Sequence, residues 1–216
     1  MGRQDYFIGV DEREADHRLA NHLALLSGFV RLKAADIARQ PGQPTHEDVQ
    51  LLLGSFRGQI EATARLHRTL TLGVRGARAD LGEHLHDICA PMSLLLAGRI
   101  LLIEDIARGC QVRPDQVLPL TQIVVEVVTN AVKHAYPAGR GGSILVRGGH
   151  DLAGAVVVEV ADDGPGLPVG FDPELDSGLG FHVIRALAGQ LEALVEFEAQ
   201  PVGLCFRLTL PAEYSI

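Results

Sequence analysis

The sequence predicts an α+β chain, an N-terminal helical hairpin followed by an α/β sandwich. Three observations carry that expectation. Leucines recur with helical spacing through the first third, and strand-like apolar runs appear only from about residue 100 onward. Between the two, "LTLGVRGARADLG" replaces the leucine pattern with glycine and charge, which places a boundary between units over 1–76 and 77–216.

From about Asp11 to Arg39, the residues Leu19, Leu23, Leu26 and Val30 recur at intervals of four, three and four, one face of a helix. "QPGQPTHED" breaks that helix with two prolines and offers Thr45 as an N-cap. Glu47 and Asp48 then suit the positive end of a second helix running to about Leu72. Two long helices joined by a short Pro/Gly loop form an antiparallel hairpin that cannot bury both faces alone; a second hairpin would complete a four-helix bundle. Beyond the boundary we expect a helix near Leu81 to Leu96, a strand near Ile100 to Ile106, and a strong helix from about Pro114 to Ala135. "GRGGS" turns the chain into the paired strands "SILVRGG" and "AVVVEVADD". "GLGFHVIRALAGQL" resumes helical spacing, and "EALVEFEAQ" with "GLCFRLTL" closes as a hairpin. The second half is thus expected to lay helices over a mostly antiparallel sheet.

Composition narrows the function. A chain of 216 residues, 47% of them hydrophobic, can bury one good core, or one core and a small helical appendage. A formal net charge of -8 opposes nucleic-acid binding, which needs a basic field to displace counterions. No apolar run reaches the roughly 20 residues of a membrane helix, and "MSLLLAGRILLIEDI" is interrupted by Arg99. "MGRQDYFIGV" is too short for a signal peptide, so the expected location is the cytoplasm, without membrane insertion. Cys89, Cys110 and Cys205 are scattered and unpaired in spacing, which suits buried apolar filling rather than disulfides or zinc.

Three polar islands interrupt the apolar scaffold. In "EVVTNAVKHAY", Glu126, Asn130 and His134 fall four apart on one helix face, and the carboxylate and carboxamide of the first two are oxygen groups of the kind magnesium takes beside phosphate. In "VADDGPGLP", a strand ends at Asp162 and Asp163. Either carboxylate could accept a hydrogen bond from an exocyclic amine such as adenine's, while Gly164 and Gly166 let the backbone approach a flat ligand. In "DSGLGFHVI", Gly178 and Gly180 precede a helix whose first amides suit phosphate. Singly, these are also a solvated helix face, an Asp-Gly-Pro-Gly turn and a common glycine pair.

In this order and spacing, the islands resemble the N, G1 and G2 boxes of the GHKL ATPases, which bind ATP in an α/β sandwich, over roughly Leu81 to Pro211. The resemblance implies that Asn130 holds Mg2+, Glu126 orients or activates the reacting groups, Lys133 meets phosphates and Asp162 reads the adenine amine. Gly164, Gly166, Gly178 and Gly180 would shape the pocket and its lid. Only eleven residues separate Gly166 from Gly178, so the lid would be short, and it lacks a Phe-rich box.

Upstream, Glu14-x-x-His17-Arg18-x-x-Asn21-x-Leu23 resembles the His-Arg-x-x-Asn phosphoacceptor box of a histidine kinase subfamily, with Asp16 where that subfamily often doubles the histidine. At about 100° per residue, His17 points roughly 180 to 240° away from the leucine seam, on a face with Asn21, Ala24 and Gly28. The resemblance implies autophosphorylation of His17 from ATP, transfer to an aspartate in a response-regulator receiver domain, a homodimer, and a separate sensor partner or a longer parent chain. Two other readings use the same residues. One is a phosphotransfer scaffold with a non-catalytic ATPase-like domain, which the intact Glu126, Asn130 and Asp162 oppose. The other is a GHKL serine kinase acting on sigma-factor regulators, which ignores His17.

Overall fold

The computed structural model describes residues 5–39, 43–71, 78–136, 139–167 and 179–212. Two helices open the chain, α1 (Asp5–Arg39) and α2 (His46–Thr71). Thr45 caps α2 as expected: its hydroxyl oxygen accepts from the Asp48 amide at 3.1 Å, and the Asp48 carboxylate accepts from the Thr45 amide at 2.9 Å. The helices meet where Phe29 packs edge-on against Phe56, with ring centroids 5.5 Å apart. The buried face of α1 differs from the expected seam. Leu26 is buried, but Leu23 is 54% and Val30 45% exposed. The inward face is rotated by about 60° toward Phe29 and Lys33, because α1 rests on α2 and also reaches α4.

The rest of the chain follows the order β1 (Ala79–Asp80), α3 (Leu81–Leu96), β2 (Ile100–Ile106), β3 (Gln111–Val112), α4 (Pro114–His134), β4 (Gly142–His150), β5 (Val156–Asp162), α5 (Leu179–Gln190), β6 (Leu194–Ala199) and β7 (Leu204–Thr209). Five strands form one sheet in the order β2-β4-β5-β7-β6, mostly antiparallel as expected, with β2 and β4 parallel. A further two-residue ribbon, β1 with β3, is too short to leave a periodic signal in the sequence. Among the described residues, no helix is long and apolar enough to cross a membrane.

Alternation along the strands decides which face the helices cover. Val146, Val160 and Phe206 stand opposite one another in the register and are buried with α4 and α5 in one core. One step along, Asp105, Arg147, Glu159, Arg207 and Glu196 line up across all five strands on the other face. Arg147 reaches Asp105 at 3.2 Å and Glu159 at 3.1 Å, and Arg207 reaches Glu159 at 2.7 Å. A one-residue slip would bury this ladder and expose the valines, so the two rows together specify the register.

The first helices are docked on the second half through α3. A side-chain carbon at Gly58 would stand 3.0 Å from the Asp87 carbonyl oxygen and 3.1 Å from the Ile88 Cα, so α2 and α3 approach backbone to backbone. Arg65 clamps Asp87 beside it with two hydrogen bonds of 2.9 and 2.7 Å. The cysteines are free and buried, as expected. His84 and His86 diverge as their spacing requires: His86 is exposed beside Glu104 at 3.1 Å, and His84 is buried.

Two predictions follow from this packing. Gly58→Ala presses a methyl group onto backbone that cannot move aside, and should cost about 1 to 3 kcal/mol in urea unfolding. Burial, the largest influence on His84, holds its pKa below the usual 6.5, so the unfolded chain binds more protons between that lowered value and 6.5. Stability should therefore fall as pH drops below about 6.5, and His84→Leu should flatten that loss in denaturant titrations from about pH 7.5 to about pH 5.5.

Candidate functional site

Helix α4 is the element around which the candidate site is arranged. It starts at Pro114, whose missing N–H costs nothing at the first helical position, and Gln116 Oε1 accepts from the Arg113 amide at 2.9 Å. From Gln116 to Val128 every side chain is buried, because α2, α3, α5 and β5 all pack against it. Polar residues buried on such a helix need partners.

Glu126 is fully buried, at 0% exposure, and its Oε2 lies 2.7 Å from the Nζ of Lys33 on α1. Asn130 and Lys133, one and two turns on, are half-buried. The start of α5 lies over this pair. A side-chain carbon at Gly180 would stand 2.8 Å from Glu126 Oε2 and 3.5 Å from Asn130 Nδ2, so only glycine leaves the space. Glu126, Asn130 and Gly180 are therefore brought together.

The acidic pair at the end of β5 divides its work. Asp163 Oδ1 accepts from the buried Tyr136 hydroxyl at 2.7 Å and from the Ser143 amide at 2.9 Å, and Oδ2 accepts from the Ser143 hydroxyl at 2.8 Å. Burial works against its charge, but the bonds from Ser143 and Tyr136 outweigh it and hold the carboxyl below its ordinary range. Burial first, and then the bond to Asp163, push the Tyr136 phenol up. This clasp ties the end of α4 to the start of β4 and the end of β5. Asp162 is half-buried and bonded through backbone amides, with Oδ1 accepting from Gly164 at 2.9 Å. Burial pushes its carboxyl up, against the pull of the Gly164 and Leu204 amides. Of the two acids, Asp162 is the one without side-chain partners among the described residues.

The turn after β5 sits on the end of α4, where a side-chain carbon at Gly164 would stand 2.9 Å from the Ala135 Cα. Gly166 follows with φ of +73°. Gly178 lies outside the described residues. His17 has its backbone within α1, while its side chain and that of Asn21 lie outside the described residues. Among the described residues, no three His, Cys, Asp or Glu side chains form a metal site, so a cation here would need ligands from elsewhere. The amide oxygen of Asn130, next to the Glu126 carboxylate, is the hard donor that suits magnesium carried on a phosphate.

Sequence reasoning did not find Lys33, 93 residues from its partner, nor the clasp of Tyr136, Ser143 and Asp163. Tyr136 and Asp163 each adjoin a recognised island, and that adjacency was the only signal available.

Comparisons with known proteins bear on the family and the fold. Residues 115–214 match the family model described as "Histidine kinase-, DNA gyrase B-, and HSP90-like ATPase". The chain is 29% identical over 177 residues to the sensor histidine kinase PdtaS of Mycobacterium tuberculosis, an alignment covering 81% of this chain and 34% of that protein. It is 23% identical over 202 residues to the blue-light-activated histidine kinase 2 of Erythrobacter litoralis, covering 92% of this chain and 56% of the relative. The chain thus spans about a third to just over half of the length of these relatives. Among solved structures, the histidine kinase domain of the Erythrobacter litoralis EL346 blue-light activated kinase superposes with a TM-score of 0.65 at 23% identity, over 92% of this chain and 93% of that one. Residues 115–214, just under half of the chain, thus match the ATPase family of histidine kinases, DNA gyrase B and HSP90, and sensor histidine kinases are among the chain's relatives.

Proposed function

We propose that this chain is the kinase core of a two-component signalling system, which phosphorylates itself on His17 from Mg-ATP and passes the phosphoryl group to an aspartate of a response-regulator receiver domain. The observation that carries this reading is the meeting of Glu126, Asn130 and Gly180, with Lys133 one turn on and Asp162 across the end of α4. In this reading, residues 1–76 are the dimerisation and phosphoacceptor unit and residues 77–216 the ATP-binding unit.

Asp162 accepts the adenine amine, and the clasp through Asp163 keeps that carboxylate at the strand end. Gly164 and Gly166 admit the flat base, Lys133 meets phosphate oxygens, and Gly178 and Gly180 shape the cover over them. Asn130 holds Mg2+, which screens charge on the phosphates. A lone pair on an imidazole nitrogen of His17 attacks the γ-phosphorus, and the bond to the bridging oxygen breaks with its electrons leaving on ADP. The proton on the other ring nitrogen passes to a carboxylate, Asp16 or Glu126. Positioning and charge neutralisation supply most of the acceleration.

The exposed apolar residues Leu23 and Val30 on α1, and Val49, Leu53 and Ile60 on α2, recur at intervals of seven, four and seven. That spacing suits a second copy of the same helices, completing a four-helix bundle in a homodimer. A cytoplasmic location and input from a separate sensor partner complete the proposal.

Incubation with γ-labelled ATP and magnesium should give a label that is acid-labile and base-stable, and His17→Ala should abolish it. Undiminished label in that variant would refute His17 as acceptor, and an acid-stable label would indicate a serine kinase. Asp162→Ala should weaken binding of a fluorescent ATP analogue about tenfold or more, the loss of a charged hydrogen bond of about 1.5 to 3 kcal/mol. Tyr136→Phe should cost about 1 to 2 kcal/mol of stability and weaken nucleotide binding less than Asp162→Ala does.

A further inference from the structure

The contact between Lys33 and Glu126 calls for a role of its own. It joins α1, which bears the proposed phosphoacceptor, to a fully buried carboxylate of the proposed ATP site, and the Lys33 side chain is only 13% exposed. The contact uses Oε2, the same oxygen that the start of α5 approaches, and the Asn130 amide lies under that same approach. A fixed positive charge on Glu126 opposes a divalent cation brought to the neighbouring Asn130, and it neutralises the carboxylate as a proton acceptor.

A second charge match lies nearby. Helix α2 packs against α4, and although burial works against the charge of the Asp48 carboxyl, the bonds from Thr45 and then the charge of Lys133 outweigh it and hold that carboxyl down. Lys33 on α1 therefore offers a cation to Glu126, and Asp48 on α2 an anion to Lys133. Meanwhile His17 lies sixteen residues before Lys33 on one continuous helix, about 24 Å along its axis. Attack on a phosphoryl group needs an approach of about 3 to 3.5 Å, so α1 must leave this position before its own histidine can react.

We propose that Lys33 is a positioning residue that latches α1 onto Glu126, holding the ATP site in a resting arrangement that competes with magnesium and is released before transfer. The inference rests on the kinase reading above, and it predicts a property that reading does not.

The test uses the full chain and measures the magnesium concentration for half-maximal binding of a fluorescent ATP analogue, beside the initial rate of labelling at His17. Lys33→Gln keeps a hydrogen-bond donor but removes the charge. It should lower the magnesium requirement at least threefold and raise the labelling rate at least threefold, while Lys33→Arg should match the unaltered chain. An unchanged or higher magnesium requirement in Lys33→Gln, or a slower rate at equal nucleotide affinity, would overturn the latch. If Lys33→Gln fails to fold, Arg65→Ala loosens the first helices at an exposed clamp remote from the nucleotide and must shift the rate the same way; no shift overturns the proposal. A chain that binds nucleotide but takes no label removes the kinase reading and leaves the magnesium shift to decide the latch. A chain that binds no nucleotide in any variant removes both.

Discussion

The burial of α4 on every side is the constraint on which the rest of this structure depends. A helix packed against α2, α3, α5 and β5 can carry polar groups only where those neighbours supply partners. Lys33 supplies one for Glu126, and glycine at position 180 lets α5 close over Glu126 and Asn130 without displacing either. The result is a short polar stretch set in an otherwise apolar core, where electrostatic interactions are stronger than at the surface. A site for a charged ligand is thereby made from the same packing that stabilises the domain.

The sheet and the clasp hold that stretch in register with the acidic strand end. The ladder from Asp105 to Glu196 and the opposing apolar row set where β5 stops, and hence where Asp162 stands. Tyr136, Ser143 and Asp163 then fasten the strand end to the end of α4. Two elements that contribute separate parts of the site are thus joined by hydrogen bonds between residues that need not touch a ligand themselves.

Much of this was legible in the sequence because it is local. The spacing of Glu126 and Asn130 on one helix, the Thr45 cap, the strand ending at Asp162 and the glycine start of α5 each depend on residues within a turn or two. Periodicity along α1 shows which residues are apolar, not which neighbour each of them meets. Leu23 and Val30 fit the leucine pattern, yet α1 turns Phe29 and Lys33 inward to meet α2 and α4. The β1 and β3 ribbon escaped because two residues carry no period. The Lys33 contact and the Asp163 clasp join positions 93 and 27 residues apart, and nothing local encodes such meetings.

The central claim is that nucleotide binds between the C-terminal half of α4 and the turn after β5. Amide hydrogen exchange, measured with and without Mg-ATP, tests it most directly. The account predicts slowed exchange over residues 126–136 and 162–167, with little change in the ladder strands β6 and β7. Protection confined to other elements, with those two segments unchanged at saturating nucleotide, would contradict it.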